Sequence, residues 1–305
     1  MSKNLSPQSP IQPLSIGNVV SAGVRIYRSH LKSYLGLALQ GSLWVMLPLV
    51  LLALVSVFPA YFQANPLATL VLVAIGLVLL IYGLAKYYAF SALISRLAFG
   101  ELVNQPESVT TAKSKINSRL GSFLSLNIQI GLLLSLVYLG LAITAGIVIG
   151  IVASILGSVI GRIGIALVVF LMVFIILFGL TWFFARWLIA EVPLAVEEGT
   201  NTRQSIDRSW ELSKNSAFRI QGIVLIGFLV TVPLVLVTNY LPLLFLVGVE
   251  PNSPRYWIVY FISLITGLLG SALVLPFWQA IKAVLYYDLR SRREGLGLKL
   301  RDREV

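Results

Sequence analysis

Long runs without charge constrain this sequence more than any other feature. No Asp, Glu, Lys, Arg or His occurs between Lys32 and Lys86 or between Arg119 and Arg162, and both runs are rich in Leu, Ile and Val. A helix needs about 20 apolar residues to cross the roughly 30 Å hydrocarbon core, because backbone groups in lipid must hydrogen-bond to one another. The runs therefore predict membrane-spanning helices, since strands of a membrane barrel alternate between apolar and polar residues.

The composition points the same way. The chain is 58% hydrophobic and 11% charged, with a mean hydropathy of +0.90, outside the usual range of a soluble domain. We predict an all-α polytopic membrane protein of about six spans, at roughly 34–60, 67–90, 123–152, 164–188, 219–246 and 256–284. Pro48, Pro233 and Pro276 fall inside these spans and predict kinks.

The third span belongs to a stretch that is too long for one straight crossing. At about 1.5 Å per residue, a helix from Ser122 to Gly161 would overshoot the bilayer. We expect it to break into a turn within "LGSVIGRIG", with a re-entrant segment at 153–163 as the alternative.

The basic residues predict the orientation. Of the 23 Lys and Arg residues, only Arg162 and Arg255 fall in the proposed outer loops. The positive-inside rule then places both termini in the cytoplasm, and we expect a bacterial inner or internal membrane. The net charge of +11 is explained by this asymmetry and by contact with anionic lipid headgroups, so no nucleic-acid partner is expected.

Three regions are predicted along the chain. Residues 1–14 are polar, rich in Ser and Pro, and lack the apolar core of a signal peptide, so we expect a disordered cytoplasmic lead. Residues 15–290 form a single transmembrane domain, and 291–305 form a basic cytoplasmic tail.

The sequence also suggests an internal repeat. "RSHLKSYLGLALQG", "NSRLGSFLSLNIQI" and "ELSKNSAFRIQGIV" enter alternate spans in a similar way, and each follows a short helix-like segment. Polar start signals precede these segments at Ser15, at Asn104 with Pro106, and at Thr202. We predict three repeated units, each an interfacial helix followed by a hairpin.

Lys86, Arg186 and Lys282 recur beside aromatic residues at the inner ends of the even-numbered spans. One interpretation is an aromatic belt with snorkelling cations. The other is a basic ring around a pore or an anionic-lipid site. Both interpretations remain open at this stage.

The stretch "EEGTNTRQSIDRSW", residues 197–210, is a charged segment between two apolar ones. Together with Glu191 and Glu211, its acidic residues alternate with basic ones, which indicates a solvated, locally paired loop. Ile206 and Trp210 lie one helical turn apart, so the loop helix is expected to pack on the bundle or to enter the headgroup layer.

Catalytic machinery is not apparent. Cysteine is absent, His30 is the single histidine and lies at a helix junction, and the sequence has no zinc, phosphate-loop or serine-hydrolase motif. We therefore expect no catalytic residue, metal ligand or cofactor, and no enzyme. The intramembrane amides Gln129, Gln221, Asn239 and Gln279 are interpreted as hydrogen bonds between helices.

Two stretches resemble a known family. "RWLIAEVPLAVEEGTNTRQSIDRSWELSKNSAFRIQGI" and "LYYDLRSRREGLGLKL" look like the membrane domain associated with glycerophosphoryl diester phosphodiesterases, many of whose members are stand-alone bacterial proteins of unknown function. The matching positions are Glu197, Arg208, Ser209, Trp210, Leu212, Tyr287, Asp288, Leu289 and Arg290. The resemblance implies a helical membrane module without the hydrolase, whose histidine pair and metal-binding carboxylates belong to a separate soluble barrel domain.

Two functions follow as hypotheses. The first is a non-enzymatic scaffold, regulatory or anionic-lipid-binding protein that acts on a membrane-protein partner or on lipid through its cytoplasmic face. The candidate residues for that face are Arg186, Glu197, Asp207, Arg208, Trp210, Tyr287, Asp288 and Arg290. The second is a transporter or channel-like conduit for a lipid or small solute, lined by Lys86, Arg186 and Lys282.

Overall fold

The computed structural model describes residues 14–251 and 253–295, and this part of the chain is helical without any strand. Five helical segments are long and apolar enough to cross a membrane: Leu31–Val57, Pro66–Leu102, Leu120–Val196, Ala217–Leu244 and Pro254–Glu294. The predicted lead (1–14) and the end of the predicted basic tail (296–305) lie outside the described residues, except for Leu14. A polytopic all-α membrane protein is the architecture that these helices support.

The helices follow one another in the order α1 (Ile16–Ser29), α2 (Leu31–Val57), α3 (Pro59–Ala64), α4 (Pro66–Leu102), α5 (Val109–Asn117), α6 (Leu120–Trp187), α7 (Glu191–Val196), α8 (Thr202–Ser213), α9 (Ala217–Val235), a π-helical segment (Leu236–Tyr240), α10 (Leu241–Leu244) and α11 (Pro254–Glu294). Pro48, Pro233 and Pro276 lie inside α2, α9 and α11, and the π-helical segment begins shortly after Pro233.

The longest helix, α6, is a hairpin of two arms. Its helical conformation is interrupted at Gly161, where φ is 61° and ψ is −170°. The arms then run side by side in opposite directions, because a Cβ added at Gly179 would lie 3.0 Å from the Leu141 side chain. The predicted break within "LGSVIGRIG" is confirmed at Gly161, a residue type that adopts positive φ without strain.

The helices α1, α5 and α8 are each followed closely by a longer apolar helix. Ser15 caps α1 as predicted, but α5 is capped by Ser108 and α8 by Asn201, which forms a reciprocal capping box with Gln204. The cap of α5 is therefore Ser108 and not Asn104 or Pro106, and the cap of α8 is Asn201 and not Thr202. Each cap is a residue whose side-chain oxygen accepts from a free backbone N–H group.

The buried core lies at one end of the bundle. It is formed by α1, by α7, and by the C-terminal halves of α4 and α11, which contribute runs such as Ala89–Phe99 and Phe277–Leu289. We call this the capped end, because α1, α5, α7 and α8 lie across it. Toward the other end the apolar side chains are exposed, with Val159 at 81% and Ile163 at 79%, as expected for helices solvated by lipid.

Two helix pairs approach so closely that only glycine fits. A Cβ at Gly83 of α4 would lie 2.2 Å from the backbone oxygen of Trp44 in α2, and one at Gly270 of α11 would lie 2.1 Å from the Thr238 hydroxyl in the π-helical segment. Small residues at such contacts let membrane helices pack by van der Waals attraction, since lipid supplies little hydrophobic drive for helix association.

The contact at Gly83 gives a stability prediction. We expect Gly83→Ala to destabilise the protein by about 1–3 kcal/mol, because the added methyl group meets backbone rather than a movable side chain. The measurement is thermal unfolding of the purified protein in detergent. Gly140→Ala is the control, since nothing lies within 4 Å of a Cβ there and alanine favours helix. Equal melting temperatures for the two variants would contradict the close approach of α2 and α4.

Candidate functional site

Helix α8 is anchored to the end of α6 by aromatic and cationic side chains. The Arg186 guanidinium lies 4.0 Å from the Trp210 ring centroid and 5.7 Å from that of Trp182, and Arg186 is only 3% exposed. Ser209 and Ser213 donate hydrogen bonds to the Arg186 carbonyl oxygen. The apolar stripe predicted for this helix therefore packs on the bundle, with Trp210 as its main contact.

A network of ion pairs links the loop after α7 to α8 and to the end of α11. Arg208 contacts Glu294 at 2.6 Å and Glu197 at 3.3 Å, and Arg290 contacts the same two carboxylates. The Tyr286 hydroxyl donates to Glu197. Burial alone would lower the pKa of Arg208, but Glu197 and Glu294 outweigh it and raise the pKa. The predicted residues Glu197, Arg208 and Arg290 are thus brought together and paired with one another.

Asp288 belongs to a second cluster, on the side of α11 that faces α1 and α9. Its carboxylate is 5% exposed and accepts from Arg219 at 2.7 Å, from Arg292, and from the backbone N–H of Leu14. The neighbouring Tyr287 is half-buried against the core. Asp288 therefore fixes the entry to α1 against α9 and α11 and is not available on the surface.

A third cluster fixes α5. Arg96 of α4 forms a two-pronged ion pair with Glu107, which also accepts from Lys115 at 3.0 Å. The hydrogen bond from Arg96, assisted by Lys115 and opposed by burial, lowers the pKa of Glu107 to about 2. Nearby, Arg119 donates to the carbonyl oxygens of Leu194 and Thr200. These groups were not identified from the sequence.

The acidic residues assigned to a solvated loop divide into two groups. Glu198, Asp207 and Glu211 are exposed, as predicted. Glu191 is instead 6% exposed and Glu197 is half-buried. The solvated-loop interpretation is therefore wrong for Glu191, because α7 turns back into the bundle and carries it inside, whereas Glu197 is partly buried and paired with Arg208.

Glu191 lies at the edge of a cavity of about 980 Å³ between α4, α6, α9, the π-helical segment and α11. Most of the lining is apolar or aromatic, including Tyr87, Tyr88, Phe184 and Trp278. Its size is at the upper end of the usual range for ligand pockets, about 300–1,000 Å³. The cavity lies among the helices that are apolar enough to span the membrane.

The charged groups of the cavity lie together near the capped end, and its lining also includes the uncharged polar residues Asn127, Asn239 and Ser263. Lys282 Nζ lies 2.9 Å from Glu191 Oε2. In the amide orientation that satisfies both of its ends, Gln279 donates to Glu191 and Ser95 and accepts from Ser91 and Lys282. A buried, charge-balanced cluster therefore borders a largely apolar space.

The three cations of the proposed basic ring have separate surroundings. Lys86 contacts Asn117 at 3.3 Å and lies over the Tyr82 ring, whereas Arg186 is stacked on Trp210. Of the three, Lys282 alone lines the large cavity, so the structure does not bring them together around one path.

The intramembrane amides differ in the same way. Gln221 bonds to Phe178 and Thr181 of the returning arm of α6, and Gln279 bridges α11 to α4 and α7, so both link separate helices as predicted. Gln129 and Asn239 bond within their own helical segments. Asn239 and Gln279 also line the cavity.

No family model, curated protein or solved structure matches the chain. The resemblance to the phosphodiesterase-associated membrane domain therefore stays a prediction. Within residues 14–251 and 253–295, no three His, Asp or Glu side chains come together in a way that could hold a metal ion.

The contrast between Asp288 and Asp207 gives a stability prediction. We expect Asp288→Ala to cost about 3–5 kcal/mol, because it leaves Arg219 partly buried without its carboxylate. Asp207→Ala removes the same side chain from an exposed site of α8 and should stay within about 0.5 kcal/mol of the unaltered protein. Chemical denaturation in detergent micelles measures both, and similar losses would mean that Asp288 is not a structural anchor.

Proposed function

We propose that this chain is a non-enzymatic integral membrane protein that binds one amphiphile in the cavity between its helices. The observation that carries the proposal is the cavity itself, a largely apolar space of about 980 Å³ with the Glu191–Lys282 pair and Gln279 at one end. Apolar walls match acyl chains and a clustered polar end matches a headgroup. This develops the conduit hypothesis, with one cavity in place of a basic ring.

The alternative of a docking surface for a protein partner has weaker support. Most residues predicted for it are occupied within the chain, because Glu197, Arg208, Arg290 and Asp288 pair with neighbouring side chains. What favours the lipid-binding form of that hypothesis is the outer side of α1, where exposed Arg25 and Arg28 face away from the bundle. Anionic headgroups are the partner that such a basic surface suits.

For the topology, we propose six crossings in three repeated units, with both termini in the cytoplasm of a bacterium. The hairpin at Gly161 supports two crossings within α6, and the order of short and long helices supports the repeat. The positive-inside rule supports the orientation, because Arg162 lies beside the hairpin turn while Arg203 lies at the capped end.

The topology is testable because the chain has no cysteine of its own. We expect Arg162→Cys in intact cells to react with a membrane-impermeant maleimide, and Arg203→Cys to react only after the cells are permeabilised. Both positions are exposed, so failure to label will not reflect burial. Labelling of both from the same side would refute the six-crossing arrangement.

The binding proposal is tested by filling the cavity. We expect the gently solubilised protein to retain one amphiphile in native mass spectrometry, and Val274→Trp to reduce that retention at least tenfold, because Val274 lines the cavity. Leu269→Trp is the matched control, since Leu269 is on the same helix but is 48% exposed. The proposal would be refuted if the unaltered protein retained no amphiphile, or if the two tryptophan variants retained equal amounts.

A further inference from the structure

A second cavity lies beside the large one. It has a volume of about 340 Å³ and lies between α2, α4, the π-helical segment and α11. The two cavities have these lining residues in common, which we call the fork: Tyr87, Asn239, Ser263, Leu264 and Ser271. The cavities therefore adjoin at the fork, and the space divides there into a large branch toward α6 and α9 and a small branch toward α2.

The two branches differ in charge. The large branch contains the Glu191–Lys282 pair, whereas the described residues that line the small branch carry no charge. Val45, Met46 and Leu49 supply apolar walls to the small branch. A charged or zwitterionic head therefore has polar partners only in the large branch, and the small branch suits hydrocarbon.

The fork itself is mostly polar, since four of its five residues carry a hydroxyl or an amide group. Asn239 and Ser263 donate to oxygens of their own helical segments. The hydroxyls of Tyr87 and Ser271 donate to no described residue, and neither is fully enclosed. The fork thus offers two hydroxyl donors to a ligand.

The fork also lies close to the charged end of the large branch. Tyr87 precedes Ser91 by one turn of α4, which is about 6 Å along the helix. Ser91 in turn contacts Gln279 at 2.5 Å, and Gln279 bonds to Glu191 and Lys282. From the capped end outward, the space therefore presents a charged pair, then polar donors, then two branches with apolar walls.

We propose that the ligand is an amphiphile with two hydrocarbon chains, which part at the fork and occupy one branch each. The inference rests on the proposed function, since it assigns the number of chains to the same ligand. The ester or amide groups from which the chains of such a lipid diverge are hydrogen-bond acceptors, and Tyr87 and Ser271 offer one donor each. A single-chain amphiphile would leave the walls of one branch without its contacts.

The experiment is a competition between two lipids that have the same head. The purified, delipidated full chain is mixed with equimolar dioleoylphosphatidylcholine and oleoyl-lysophosphatidylcholine, and the retained lipid is read by native mass spectrometry. We expect the two-chain lipid to be favoured at least tenfold, because its second chain gains contacts in the small branch that the one-chain lipid lacks.

Tryptophan variants assign the preference to the small branch. Met46→Trp fills this branch and should bring the two lipids within threefold of each other, with the one-chain lipid still retained. Leu43→Trp is the matched control, since Leu43 is on the same helix but is 44% exposed and lines neither cavity, and it should keep the preference. If Met46→Trp fails to fold, Leu268→Phe narrows the same branch from α11.

The outcomes separate this inference from the function on which it rests. Equal retention of both lipids by the unaltered protein, with loss of both in Val274→Trp, would overturn the two-chain ligand and leave the cavity function standing. A preference that survives in Met46→Trp would also overturn it, even if the variant exchanged both lipids more slowly, because the small branch would then be an entry route. No retention of either lipid would remove both the inference and the function.

Discussion

The desolvation of charge governs this structure. A carboxylate or ammonium group inside a lipid-solvated bundle loses its water, and a partner of opposite charge with further hydrogen bonds offsets that cost. Every strongly buried carboxylate in the described chain meets this condition: Glu191 has Lys282, and Asp288 has Arg219 and Arg292. The ion pairs join segments that are distant in sequence. They therefore fix the short helices to the ends of the long ones and determine where the bundle is closed.

Away from the capped end, close helix contact matters more than the pairing of buried charges. The apolar side chains of α6 and of the first half of α4 are exposed, because lipid solvates them as well as another helix would. Contacts there depend on close approach rather than on burial of area, which explains the glycines at 83 and 270. One consequence is the cavity. The π-helical segment, held against Gly270 by Thr238, shifts the register of the helix after Pro233 and places Asn239 and Tyr240 on the cavity wall.

The coarse fold was predictable from the sequence because hydrocarbon allows so few solutions. The uncharged runs predicted the long helices, and the excess length of the third run predicted the break near Gly161. The spacing of Ile206 and Trp210 predicted that α8 packs on the bundle. The site was not predictable in the same way. Glu191 was grouped with the charged loop that follows it in the sequence, but the turn between α6 and α7 carries it inward. Its apolar neighbours in "LIAEVPLAV" were the one available signal. Pairings such as Arg96 with Glu107 depend on tertiary geometry that periodicity does not encode.

A buried ion pair such as Glu191–Lys282 is weak evidence for a stabilising role. Replacing a buried ion pair by apolar residues of similar volume is often neutral or stabilising, whereas removing one partner is strongly destabilising. The same region already packs Ile281, Ala283 and Val284 without any exposed surface, so aliphatic side chains at 191 and 282 would suit the surrounding core. Stability alone therefore does not account for a charged pair at this end of the cavity, and the proposed amphiphile binding gives the pair a role there.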